Sequence, residues 1–82
     1  MNLKDRLAKI QTVDDAEKQL TLAKNYVKRL RTEAKNAPSL EEKLAINEKL
    51  KESESVLRKL RFMIFDIEDA IAAGKTALSL VA

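Results

Sequence analysis

The chain has 82 residues, with sixteen Lys/Arg, thirteen Asp/Glu, one Gly, one Pro and neither Cys nor His. Lacking both, it has no disulfide staple, no usual zinc or haem ligand, and no base for a Ser-His-Asp or Cys-His site. Hydrophobic residues make up 45 % and charged ones 35 %, a mixture that reads as long helices and not as a β-protein or a disordered chain. A core built from so few residues is thin. The formal charge is +3, unevenly spread: residues 1–38 carry nine basic against five acidic side chains, and residues 39–82 seven against eight. The two parts attract one another.

A short helix is expected over residues 2–10, with Leu3, Leu7 and Ile10 on one apolar face. Thr12 then offers an N-cap, and Asp14 and Asp15 sit in the first turn where they favour the helix dipole. A long helix follows over 13–36. Pro38 is the one strong breaker, so the chain turns over 36–39. Ser39 and Glu42 have the spacing of a capping box that opens a second long helix over 39–73. Gly74 ends or loosens that helix, and the tail 75–82 either continues it or folds back. Strict alternation is absent, so no strand is predicted. The whole reads as one helical domain over 1–82.

Periodicity carries the fold prediction. Val13, Ala16, Leu20, Ala23, Val27, Leu30, Ala34 and Ala37 follow an unbroken 3-4 spacing. Ile46, Leu50, Ser53, Leu57, Leu60, Ile64, Ile67, Ile71, Gly74, Leu78 and Val81 do the same. These are the a and d positions of heptad coiled coils. The fold expected is all-α, an antiparallel helical hairpin with a short amino-terminal helix, completed as a three-helix or dimeric four-helix-type bundle. The turn at 36–39 would set Leu30 beside Ile46, Val27 beside Leu50, Ala23 beside Ser53, Leu20 beside Leu57 and Ala16 beside Leu60. Flanking charges agree with that register, pairing Glu17 with Arg61 and Lys24 with Glu54.

Tyr26, Val56, Met63, Ala70 and Ala77 form a second, apolar flank where charge would be expected. The short helix, the tail or another copy of the chain must cover it. Phe62 and Phe65 project from the side of the second long helix opposite Leu60, Ile64 and Ile67. A lone hairpin cannot bury both sides. Tyr26, Val56, Phe62, Met63, Phe65 and Ala70 are therefore the residues expected at an interface with a partner or a second copy, aromatic side chains being frequent binding hot spots.

Other chemistry finds little support. Ala73-Gly74-Lys75-Thr76 looks like the end of a phosphate loop, but Asp69 stands where that motif needs its first glycine. The acids Asp66, Glu68 and Asp69 do not share one face, and di-iron bundles need histidines. Lys24, Lys28, Arg31 and Lys35 recur at 4-3-4 spacing and form a stripe that can track phosphates. In the expected register Glu41, Glu42, Glu48, Glu52 and Glu54 lie opposite that stripe and cancel much of it. Arg58, Lys59 and Arg61 form a second basic cluster, opposed there by Asp14, Asp15 and Glu17.

No family declares itself in these residues. The function expected is a non-enzymatic protein–protein interaction or assembly module, acting on itself or on a larger protein. The alternative is a small nucleic-acid-binding accessory protein using the basic stripe. No cofactor, metal or small-molecule substrate is expected. Met1–Arg6 is charged with no apolar run behind it, unlike a signal peptide, and no apolar stretch nears the roughly 18 residues of a membrane span. A cytoplasm-like compartment is the default expectation.

Overall fold

The computed structural model describes residues 1–81. They form three α-helices, α1 (Leu3–Ala8), α2 (Val13–Lys35) and α3 (Leu40–Ala72), and a closing 3-10 turn at Ala77–Leu80. Each boundary has a local cause. Asn2 caps α1, its Oδ1 accepting the Lys4 N–H at 2.8 Å. Thr12 and Asp15 make a full capping box at the start of α2. Ser39 supplies only its own half of one, accepting the Glu42 N–H at 3.2 Å. Gly74, at φ +77°, ends α3.

The two long helices pack against each other, and the hairpin they make is the body of the molecule. Its register departs from the expected one. Glu54 meets Arg31 at 3.1 Å, seven residues beyond Lys24. Leu57 lines a groove with Val27, again seven residues beyond the expected Leu20. Seven residues are one heptad, about 10 Å along a helix. Neither Glu17–Arg61 nor Lys24–Glu54 forms an ion pair among the described residues.

The slide has a packing reason. Carried along both helices, it sets Ala16 level with Ile67, Ala23 with Leu60, and Leu30 with Ser53. A small side chain then faces a large one in each layer, which fills space better than Ala23 on Ser53 beside Leu20 on Leu57. All six of these residues are buried. The expected register gives way to this packing.

At one pole the slide leaves about two turns of α3 beyond the end of α2. The connection 36–39 bridges that gap, which is within the about 13 Å that four residues can span. Leu40 and Leu44 lie on this overhang, 72 % and 56 % exposed. At the other pole the start of α2 is level with the end of α3. There α1 and the tail pack on α3 and on each other. Leu7, Ile10 and Ala77 join Val56, Leu60 and Ile67 in one buried cluster, with Leu3 and Met63 against it. The second apolar flank is thus covered from within the chain.

The tail folds back. Lys75 N–H donates to the Ala70 carbonyl at 2.8 Å and Gly74 N–H to the Ile71 carbonyl at 3.0 Å, the paired bonds of a Schellman turn. Leu78 and Val81 therefore do not extend the seam, which ends at Ile71. Ala77 is the tail's fully buried residue, while Leu78 stays exposed. A left-handed conformation costs a non-glycine residue about 1–2 kcal/mol, so glycine at 74 lets the chain reverse without strain.

The register is open to direct test. Cysteines replacing Ala23 and Leu60 should form a disulfide within one chain under mild oxidation. A pair replacing Ala16 and Leu60 should not. The reverse result, read by mass spectrometry of the oxidised monomer, restores the unshifted hairpin.

Candidate interaction surface

Position on α3 decides what each candidate residue can do. At 3.6 residues per turn the side chains of Leu60 and Ile67 point at α2, and those of Val56, Met63 and Ala70 point about 60° to one side. Val56 and Ala70 are buried, at 8 % and 6 % exposure, and Met63 is half-buried. Expected at a partner interface, Val56 and Ala70 instead belong to the chain's own interior. Tyr26 is half-buried too, and the Arg29 guanidinium lies 5.1 Å from its ring centroid. That contact is a cation–π stack on the surface.

Phe62 and Phe65 are different. They are 84 % and 74 % exposed, on the face of α3 directed away from α2. Nothing in the chain closes over them. Leu80 adds apolar surface one side further round, beside Asp66, Asp69 and Ala73. Sequence reasoning missed Leu40 and Leu44 as members of this face. The signal was present: eighteen residues separate Leu44 from Phe62, which is five whole turns.

The basic residues gather more than the sequence suggested. Lys24, Lys28 and Arg31 line one groove between the helices together with Arg61. Arg31 and Arg61 meet Arg58 and Glu54 in the adjoining depression. In the unshifted register acids would have faced Lys24 and Lys28. The one-heptad slide replaces them by Arg61, and Glu54 alone remains, bonded to Arg31. Lys35 is exposed further along α2 and lines neither groove.

A part-buried polar contact ties α1 to α2, and no sequence pattern announced it. Arg6 Nη1 donates to Gln19 Oε1 at 2.9 Å, and Gln19 is buried. Desolvation by burial lowers the Arg6 pKa below its ordinary value, partly opposed by Tyr26. Its Nε is buried without an acceptor.

The segment 73–76 offers no phosphate cradle. Its Gly74 and Lys75 amides are already committed to the Ile71 and Ala70 carbonyls, and Thr76 caps the tail. Among the described residues, no group of three or more His, Cys, Asp or Glu could hold a metal ion. None of their helices is long and apolar enough to cross a membrane. Comparison with family models, with curated proteins and with solved structures finds no match to this chain.

Replacing Gln19 by Ala removes the acceptor that Arg6 depends on, with an expected loss of about 1 kcal/mol. Arg6→Met/Gln19→Leu keeps apolar volume and strands no polar group, so it should cost less than Gln19→Ala. Urea unfolding followed by circular dichroism ranks the two. Equal or reversed losses show that the contact carries no weight.

Proposed function

We propose that the chain is a non-enzymatic helical interaction or assembly module that docks the outer face of α3, centred on Phe62 and Phe65, against another protein helix. The observation that carries this reading is the exposure of both rings above a core already closed on its other sides. Truncating aromatic anchors of this kind costs an interface about 2 kcal/mol or more. In this reading the α2–α3 seam is an antiparallel coiled coil, stiff enough to hold the outer face in place. Neither cofactor nor small-molecule substrate enters, and the setting is a cytoplasm-like compartment.

The test is Phe62→Ala/Phe65→Ala, with solution mass, retention of co-purifying protein and helicity measured together. Association should be lost while the far-ultraviolet spectrum stays that of the wild type, because no buried residue is touched. A variant that keeps every association of the wild type sinks the reading.

One observation favours a second reading, a small nucleic-acid-binding accessory protein. Lys24, Lys28, Arg31 and Arg61 converge on one groove, where the expected register had cancelled the charge. Four phosphate contacts on duplex DNA give log K a slope near −3.6 against log salt, at about −0.9 per phosphate. Lys28→Glu/Arg61→Glu should abolish such binding in a fluorescence titration. A flat salt dependence, or an unaffected variant, removes this alternative.

A further inference from the structure

We infer that the occupant of the outer α3 face is a second copy of this chain, packed antiparallel about a twofold axis level with residue 53. This deepens the docking reading above and rests on it. Four large apolar side chains on that face are widely exposed, and they come as two pairs: Leu40 with Leu44, and Phe62 with Phe65. At 3.6 residues per turn both pairs fall on the same line along the helix, about 27 Å apart from Leu44 to Phe62. They lie nearly equidistant from residue 53. A twofold axis there brings Phe62 of one copy onto Leu44 of the other, and Phe65 onto Leu40. One surface thereby complements itself, as an isologous dimer requires.

Charge between the pairs selects the direction. Lys51, Ser55 and Arg58 occupy the line between them. A parallel dimer in register would stack Lys51 on Lys51 and Arg58 on Arg58. The antiparallel one sets Lys51 level with Ser55, and Arg58 level with Glu48. On the adjoining flank, Lys59 comes level with Asn47 and within one residue's rise, about 1.5 Å, of Glu48. Opposite or neutral partners thus come level with Lys51 and Arg58, and the two copies of Lys51 are offset by about 6 Å along the helix where a parallel dimer would stack them.

The surface is also large enough. Four phenylalanine side chains at about 150–250 Å² each, with four leucines, bring the buried area to the about 1,000 Å² that a specific interface needs. The helix α2 does not stand in the way, since it packs on the opposite side of α3.

Sedimentation equilibrium of the full chain is the test. The wild type should sediment at twice its 9.3 kDa chain mass. Leu40→Ala/Leu44→Ala should dissociate it as Phe62→Ala/Phe65→Ala does, although the two sites are far apart in one copy. Glu48→Lys and Lys59→Glu should each weaken the dimer about tenfold, and the double exchange should recover most of that loss. A dimer indifferent to the leucine pair or unrescued by the exchange overturns the antiparallel arrangement. A wild type that stays monomeric at millimolar concentration, yet loses a different protein partner with the two rings, overturns the second copy and leaves the docking reading standing. A monomer whose associations ignore the rings defeats both.

Discussion

Ala16 and Ala23 sit on the inner face of α2 where the opposite helix must come close, and alanine fills little space. A helix with such a face needs large partners. Ala16 has a large partner in either register, Leu60 or Ile67, but Ala23 meets one, Leu60, only when the two helices are offset by one heptad from the unshifted hairpin. From that offset follow the two exposed turns at the start of α3 and the bridging connection 36–39. The level ends at the other pole, and the meeting of Arg61 with Lys24 and Lys28, follow as well. A single packing requirement thus shapes both the interior and the charge map.

Two helices alone would leave Val56, Met63 and Ala70 wet. The short α1 and the tail answer this at little cost in chain length, by placing Leu3, Leu7 and Ile10 on one side and Ala77 on the other. Glycine at 74 makes the tail's return possible, because only there among the described residues does the backbone enter the left-handed region. With that flank covered, the outer face of α3 carries the most exposed large apolar side chains among the described residues, and the rings of Phe62 and Phe65 stand on it.

The helices and their limits were legible because capping and breaking are local. Thr12, Ser39, Pro38 and Gly74 act within a few residues of themselves. The register was not legible. A heptad pattern slid by seven residues looks the same along the seam, so periodicity cannot choose between offsets. The flanking charges misled because Glu54 finds a cation of similar reach at either Lys24 or Arg31. Size across the seam distinguishes the offsets, because Ala23 and Ser53 are both small whereas Ala23 and Leu60 together fill the layer. The outward direction of Phe62 and Phe65 was readable from 100° per residue alone, whereas the burial of Val56 and Ala70 depended on where α1 and the tail would lie. In the unshifted register the first turns of α3 lie against α2, so the overhang that exposes Leu40 follows only from the offset. Arg6 and Gln19 meet through a chain reversal that no repeat encodes.

The meeting of α1 with the tail means that the chain enters and leaves the fold at one pole. The turn at Pro38 lies at the other, along a molecule 49 Å in its longest dimension. Neighbouring termini are what allow a unit to be spliced into a surface loop of a host protein without tearing either fold. Inserted in that way, the hairpin would stand out from its host as a rod. Along it the outer line of α3 would run from the base, where the two rings sit, to the tip, where the two leucines do.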